Sequence, residues 1–475
     1  MNRGYMVRCL AVMATTAVLS CAAPVAAGEA AMAQRQENHD PLITPNPHGK
    51  LRTWVPGGEI DTSNAFFQIL GTNGRSCNTC HQLVAAWGTS VARIGQRFEA
   101  TYGTDPIFRL VDGANSPLMD VSTLKARREA YSMLLTYGVI RIHMPMPEDA
   151  EFSLLDVDDP WGYASAQELS LFRRPLPATN LRFLTSVMWD GRETVAPFLP
   201  PMDPGEAHAD LVDSLTQQAL NATLGHAQAM EPPTPEQLAA IVAFELSLTT
   251  AQFRDRRAGR LDDADALGGP RALAIQRFYV GINDPFGFNP TGEPFDTNAS
   301  MILFNGLVSR PGNGPRHRAR ALIERGQQLF KNLPITITGV AGLNDVLGVE
   351  AFQGHCTTCH NTPNVGNHSS GAPLDVGVAD ASRREAGFPL YTLMNNDTGE
   401  IRKVTDPGLA MLTGEWEDIG KFKGPKLRGL AARAPYFHNG SAATLGEVID
   451  FYNERFDIGI TPRQKAALVA FLSAL

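Results

Sequence analysis

The 475-residue sequence predicts a mainly α-helical protein made of two similar halves. A Thr-Pro-x-Gln pattern followed by apolar residues at helical spacing occurs at 234–244 and again at 461–471. In each copy the threonine is a suitable N-cap, and the proline takes the first helical position, where its missing N–H costs nothing. An amphipathic segment, at 65–70 and at 321–330, also precedes each of two short cysteine motifs.

The two cysteine motifs are Cys77-Asn78-Thr79-Cys80-His81 and Cys356-Thr357-Thr358-Cys359-His360. Each has the form Cys-x-x-Cys-His, the attachment sequence for c-type haem. Two thiols a helical turn apart can add to the vinyl groups of one porphyrin, and the imidazole that follows lies under the iron. A zinc half-site or a redox dithiol explains two such runs much less well. The sequence therefore predicts two covalent haem c groups, attached through Cys77, Cys80, Cys356 and Cys359, with His81 and His360 as iron ligands.

The order of helix, haem motif, long middle segment and capped terminal helix is that of a cytochrome c domain, and it occurs twice. We expect an N-terminal cytochrome c-like domain over 50–255, with an insertion at 83–172. A joining segment rich in Gly and Pro should cover 256–315, and a C-terminal cytochrome c-like domain 316–475. Short strands are expected around 335–338.

The first residues are typical of an export signal. Arg3 and Arg8 precede an apolar run and then small residues, which predicts a signal peptide over 1–27, with cleavage as late as 33. Cys9 and Cys21 fall in this leader, so every remaining cysteine belongs to a haem motif. The mature chain is expected in the periplasm. The net charge of −8 argues against a nucleic-acid partner, and no later stretch is apolar enough to span a membrane.

Five further motifs resemble those of bacterial di-haem cytochrome c peroxidases and the related MauG-type enzymes. Met188-Trp189-Asp190-Gly191-Arg192 is similar to their F-W-D-G-R run, and Asp203-Pro204-Gly205-Glu206 to their N-P-x-E run. Segments 422–428, 434–440 and 443–447 follow the order and spacing of the same family. The resemblance covers both haem domains, apart from the insertion and much of the joining segment.

The resemblance implies a division of labour between the two haems. The first would react with peroxide at an open face, with Glu206 as the acid–base group; the alternative for Glu206 is a solvated loop carboxylate. Trp189 would lie between the haems as an electron relay. Arg428 would pair with a haem propionate.

The sixth ligand of the second haem is left open between a tyrosine and a methionine. In this family the ligand stands fourteen residues after the histidine of the P-Y-F-H run, which is Tyr452 when counted from His438. MauG-type enzymes carry a tyrosine there, whereas many peroxidases carry a methionine. Tyr452 also fits a helical core stripe, and Met411 or Met394 could ligate instead.

Three features depart from the family pattern. No histidine stands at the distal position that some of these peroxidases use, and a family glutamine has no counterpart near Leu199. The family's calcium ligand falls on Arg174, whose guanidinium could replace the ion, so calcium is not assumed. Within the insertion, 143–146 (His-Met-Pro-Met) could supply extra ligands or form core.

Three functional hypotheses follow. The first is a periplasmic peroxidase that reduces hydrogen peroxide with electrons from a small cytochrome c or a cupredoxin. The second is a MauG-like enzyme that oxidises a protein or organic substrate through high-valent haem. The third is a di-haem electron-transfer cytochrome without catalysis. The donor, the role of the insertion and the oligomeric state, a homodimer included, are left open.

Overall fold

The computed structural model describes residues 40–195, 204–263, 265–308 and 311–475. The expected signal peptide, Leu199 and Asp203 lie outside these residues. Helix accounts for 33% of the described residues and strand for 16%. Helix is therefore the larger class, as expected, but strand is more extensive than the single expected segment.

The helices flank the two haem motifs and dominate the ends of the two halves. In chain order they are α1 (Val91–Thr101), α2 (Leu124–Ala130), α3 (Ser132–Tyr137), α4 (Pro204–Gly225), α5 (Pro235–Ser247), α6 (Pro270–Ala274), α7 (Thr297–Ser300), α8 (Pro315–Asn332), α9 (Cys356–Cys359), α10 (Ala410–Thr413), α11 (Leu445–Arg455) and α12 (Pro462–Ser473).

The strands form four small sheets. They are β1 (Ile43–Asn46), β2 (Gly49–Trp54), β3 (Ile140–Met144), β4 (Phe152–Asp158), β5 (Leu169–Arg173), β6 (Thr249–Asp255), β7 (Gly259–Arg260), β8 (Ile335–Thr338), β9 (Ala351–Gly354), β10 (Leu390–Asn395) and β11 (Ile401–Val404). The strand orders are β1-β2-β6-β7, β11-β10-β4, β3-β5 and β8-β9. The expected strand at 335–338 is confirmed as β8.

Local signals in the sequence correctly placed the repeated helices. Thr234 caps α5 and Thr461 caps α12, each with a capping box that a glutamine completes. The amphipathic segment at 321–330 lies within α8. The segment before the first haem motif was not a helix, however: only Ala65–Phe67 forms a single 3₁₀ turn, capped by Asn64.

The insertion at 83–172 is well folded and reaches the second half of the chain. It contains α1, α2, α3, β3, β4 and most of β5. Strand β4 pairs antiparallel with β10, with Val157 opposite Tyr391. Residues Thr44–Leu475 cluster as one compact unit, and the division into domains at 255 and 315 stays a prediction.

The largest apolar core lies in the second half, where α8 crosses α12. Ile323 and Phe330 of α8 pack there with Leu468 and Phe471 of α12. Among the described residues, no helix is long and apolar enough to cross a membrane.

Candidate functional site: two cavities that share a wall

The first haem motif opens into an apolar cavity. A 3₁₀ turn at Cys77–Thr79, with a capping box from Ser76, brings Cys77, Cys80 and His81 to the cavity lining. His81 Nδ1 lies 3.1 Å from the carbonyl oxygen of Trp87. Burial lowers the pKa of His81 to about 4, so the ring is neutral. A neutral imidazole held through Nδ1 leaves Nε2 as the nitrogen that can ligate a metal.

The second haem motif repeats this arrangement in a separate cavity. The short helix α9 places Cys356 and Cys359 on the cavity lining together with His360. His360 Nδ1 lies 2.6 Å from the carbonyl oxygen of Gly366, and burial lowers the pKa of His360 to about 4. The same tautomer argument leaves Nε2 available here as well.

Trp189 lies in the wall between the two cavities and lines both of them. Its side chain is 8% exposed, and its Nε1 donates a hydrogen bond to the carbonyl oxygen of Arg174 at 2.8 Å. Pro175, Pro177 and Lys423 belong to the same shared wall. The structure thus brings Trp189 next to both motifs, which the sequence-based relay role requires.

A buried ion network holds the loop that carries Trp189. Arg173, at the end of β5, donates to Asp190 and also makes two hydrogen bonds to Asp406, at 2.7 and 2.9 Å. Burial opposes ionisation of Asp190, but the charges of Arg173 and Arg192 outweigh it and hold the pKa of Asp190 below its ordinary value. Asp190, which follows Trp189, is therefore held in place by the positive charges of Arg173 and Arg192.

Buried cations around the shared wall fit carboxylate groups of a bound cofactor. Arg174, Lys423 and Lys426 are each less than 8% exposed, and among the described residues none forms an ion pair with a carboxylate. Burial lowers the pKa of Lys423 to about 7 and that of Arg174 to about 9. Such burial is unfavourable unless an anion compensates it. Haem propionates would supply that anion, and the thiols, the imidazoles and these cations together fit haem c.

The structure separates the three candidates for the sixth ligand of the second haem. Tyr452, on α11, lines the second cavity, and its ring packs near Phe437 and Phe456. Burial, with Cys359 and Cys356 nearby, raises the pKa of Tyr452 above its ordinary value. Met411 packs instead in the core beside β10, and neither Met411 nor Met394 lines the second cavity.

Two predicted site residues lie away from the cavities. Glu206 is exposed in the first turn of α4 and is not part of the first cavity lining. Arg428 is buried and donates to the carbonyl oxygens of Asn364 and Gly269, at 3.1 and 3.2 Å, but lines neither cavity. The roles given to both residues stay predictions.

Sequence reasoning missed several groups that line the first cavity. Glu245 is 6% exposed, has one oxygen without a hydrogen-bond partner, and has its pKa raised to about 8 by burial. Asp112 and His226 line the same cavity. No motif marked these residues. The glutamate in Phe244-Glu245-Leu246, which stands among apolar residues of the repeated helix, could nevertheless have indicated a buried carboxyl group.

Arg174 is the residue that the sequence resemblance matched to a calcium ligand. Its guanidinium donates to three backbone carbonyl oxygens, those of Tyr137 at 3.1 Å, Thr89 at 2.9 Å and Arg433 at 2.9 Å. Carbonyl oxygens are ligands that calcium also uses. The contacts agree with replacement of an ion by the Arg174 guanidinium. That this chain needs no calcium at this position stays a prediction.

The curated proteins that match this chain are cytochrome c peroxidases. Cytochrome-c peroxidase IdrP2 of Denitromonas iodatirespirans is 35% identical over 150 residues, which cover 27% of this chain and 38% of that protein. IdrP1 of Pseudomonas sp. strain SCT is 31% identical over 202 residues, covering 38% of this chain and 45% of that protein. Cytochrome c551 peroxidase of Nitrosomonas europaea is 29% identical over 134 residues, covering 28% and 34%. The chain thus spans less than half the length of these relatives.

Solved structures give distant matches. A MauG-like protein associated with microbial copper homeostasis is 16% identical, with 87% of this chain and 86% of that chain covered and a TM-score of 0.37. A variant of the diheme peroxidase BthA from Burkholderia thailandensis is also 16% identical, with 91% and 94% covered and a TM-score of 0.31. No protein-family model matches the chain.

The curated relatives are named as cytochrome peroxidases, which are oxidoreductases, and the matched segments of this chain are 29% to 35% identical to them. Together with the ordered motifs, these matches make the chain similar to bacterial di-haem cytochrome c peroxidases over part of its length.

Proposed function

We propose that this chain is an exported di-haem peroxidase that reduces hydrogen peroxide with electrons from a small cytochrome c or a cupredoxin. One observation carries the proposal: two cavities, each entered by a Cys-x-x-Cys-His motif, share a wall that contains Trp189. A haem bound at each motif supplies the redox chemistry. The export signal proposed at 1–27 would place the protein in the periplasm, where the relevant donors occur.

The reaction requires both electrons and protons. One hydrogen peroxide takes two electrons and two protons and becomes two water molecules, so two molecules of a one-electron donor are oxidised per turnover. Electrons would enter at the second cavity and cross the wall through the Trp189 indole. Arg174, Lys423 and Lys426 would hold the propionates and so fix both porphyrins relative to that indole.

The proposed proton donor of the family motif is Glu206. Its place in the first turn of α4 supports this role only indirectly, because the later turns of the same helix, Leu215, Ala219 and Thr223 among them, line the first cavity. Movement of the first turn toward the cavity would be needed for contact with peroxide.

A second candidate function is MauG-like oxidation of a protein or organic substrate. The observation that favours it is Tyr452 in the second cavity, because an anionic phenolate ligand would stabilise ferric and ferryl iron and would make that haem a poor store of electrons.

The steady-state oxidation of reduced cytochrome c by hydrogen peroxide tests both functions. The proposal expects rapid turnover in the purified holoprotein, with two cytochromes oxidised per peroxide, and a large loss in Glu206→Gln. Glu231→Gln, an exposed loop glutamate, is the matched control and should keep full activity. Absence of turnover, with peroxide producing a long-lived oxidised haem spectrum, would contradict the peroxidase and support the second function.

A further inference from the structure

We propose that His226, oriented by Asp112, is a second proton-transfer group, which lines the first cavity and acts in addition to Glu206. The inference rests on the proposed function, since it needs a haem with an accessible face at His81. It assigns a role to the insertion as well, because Asp112 lies in the segment 83–172 and no sequence motif accounted for that segment.

The contact between the two side chains is direct. His226 follows the end of α4, and its Nδ1 lies 2.6 Å from Asp112 Oδ2. A carboxylate at Nδ1 selects the tautomer that carries the proton there, so Nε2 is left as the basic nitrogen. This is the arrangement that a histidine needs in order to accept a proton from a bound molecule.

Asp112 is itself held in place by Arg75, which comes just before the first haem motif. Arg75 Nη1 lies 2.7 Å from Asp112 Oδ1 and 2.8 Å from Oδ2. The same guanidinium donates to the carbonyl oxygens of Pro106, Ile107 and His226, at 2.7, 2.9 and 3.0 Å. The imidazole, the carboxylate and the haem motif are therefore parts of one rigid cluster.

The cluster lines the cavity into which the first haem motif opens. The Asp112 side chain is 4% exposed and that of His226 is 35% exposed, and both line the first cavity with Cys80 and His81. The buried Asp112 carboxylate orients the His226 ring, and the partly exposed imidazole remains accessible. Glu206, by contrast, is not part of that lining.

The carboxylate beside the imidazole is negatively charged. Burial opposes ionisation of Asp112, but the hydrogen bond from His226 and the charge of Arg75 outweigh it and keep the pKa of Asp112 below its ordinary value. The carboxylate therefore stays negative and stabilises the imidazolium that forms when Nε2 takes a proton.

The proposed step moves one proton and returns it. Nε2 takes the proton from one peroxide oxygen, and the imidazolium gives it to the other oxygen as the O–O bond breaks and that oxygen leaves as water. The remaining oxygen leaves as a second water once it has received two protons from solvent. The two electrons come from the haem site and are restored by two molecules of the one-electron donor protein. The imidazole is unchanged over the cycle.

Cyanide binding to the fully ferric holoprotein tests this step without turnover. Hydrogen cyanide must pass its proton to a base when the anion binds iron, so its association rate reports on that base. His226→Gln is expected to slow association about 100-fold, and Asp112→Asn to slow it by a smaller factor. His143→Gln is the matched control, because His143 is exposed on β3 and lines neither cavity.

The outcomes separate this inference from the proposed function. Slow association in His226→Gln, with wild-type rates in His143→Gln and unchanged haem content, supports the inference. Wild-type rates in His226→Gln overturn it and leave the peroxidase proposal standing. A wild-type protein that binds no cyanide has no accessible ferric haem, which overturns both. Because His226 is partly exposed, its variant is expected to fold even if Asp112→Asn does not.

Discussion

Two residues next to the wall between the cavities are charged and almost fully buried. Arg173 and Asp190 are 2% and 0% exposed at their side chains, and their contact fixes the residue next to Trp189. An unpaired charge in such a place is unfavourable by several kcal/mol. Substitutions in this ion network therefore test whether it stabilises the wall between the cavities.

Replacing Asp190 by asparagine should lower the free energy of unfolding by about 1.5–3 kcal/mol, since Arg173 keeps Asp406 but loses one of its two buried carboxylate partners. Denaturant unfolding of the holoprotein measures the change. The exposed pair of Lys465 and Asp450 provides the control, and Asp450→Asn should change stability by less than about 1 kcal/mol. Equal losses in the free energy of unfolding for the two substitutions would contradict a larger contribution from the buried pair.

Glu245 should make stability depend on pH. Burial raises its pKa from 4.5 to about 8 in the folded chain, so the folded state binds this proton more tightly than the unfolded state. The stability that protonated Glu245 contributes is fully present below the pKa it has in the unfolded chain. This stability is lost as the pH rises through about 8. Between pH 5 and pH 8, Glu245→Gln should therefore gain a few kcal/mol relative to the wild type.

Denaturant unfolding at several pH values measures that difference, with Glu231→Gln as an exposed control that follows the wild type. A constant gap between wild type and Glu245→Gln across this range would mean that Glu245 titrates as it does in the unfolded chain.

Tyr452→Phe should change the ferric absorption and EPR spectra of one haem only, because Tyr452 lines the second cavity and not the first. Tyr452→Met should raise the reduction potential of that haem, since a thioether favours ferrous iron more than a phenolate does. Met411→Leu is the control, for Met411 packs outside the cavity. Spectra that respond to Met411→Leu and not to Tyr452→Phe would reverse the assignment.

At the scale of elements, the close crossing of α8 and α12 depends on a glycine. A Cβ atom at Gly326 would lie 2.0 Å from the carbonyl oxygen of Ala467 and 2.6 Å from Phe471 Cβ. Either helix would have to move, which disturbs the apolar core behind the second cavity.

Gly326→Ala is expected to destabilise the protein by about 2 kcal/mol or more. Gly95→Ala is the matched control, because Gly95 lies in α1 with open space around it. Alanine there should stabilise the protein by about 0.5–1 kcal/mol. Thermal unfolding compares the two. A harmless Gly326→Ala would mean that the helices cross less closely than the structure indicates.

The elements show where sequence reasoning works. Helices α5 and α12 were predictable because the cap, the first-turn proline and the apolar spacing are all local. The 3₁₀ turn at Ala65–Phe67 was not, since its aromatic rings pack on Trp87 and Phe244, which are distant in sequence. The pairing of β4 with β10 joins segments more than 200 residues apart, and no local pattern encodes such a register.

For the whole molecule, the two motifs proposed to bind haem could be recognised in the sequence, and their surroundings could not. The Cys-x-x-Cys-His runs carry their chemistry in five adjacent residues. The cations of the shared wall, such as Arg174 and Lys423, come from separate parts of the chain and meet only after folding. The cluster of Arg75, Asp112 and His226 likewise joins three distant segments. A sequence motif cannot reveal a site that is assembled in this way.

The most direct test of the account is the haem content of the purified protein, measured by pyridine haemochrome absorbance and by mass spectrometry of its peptides. The account predicts two covalent haems per chain, one on the peptide with Cys77 and Cys80 and one on the peptide with Cys356 and Cys359. A single haem, or zinc bound at either motif, would contradict it.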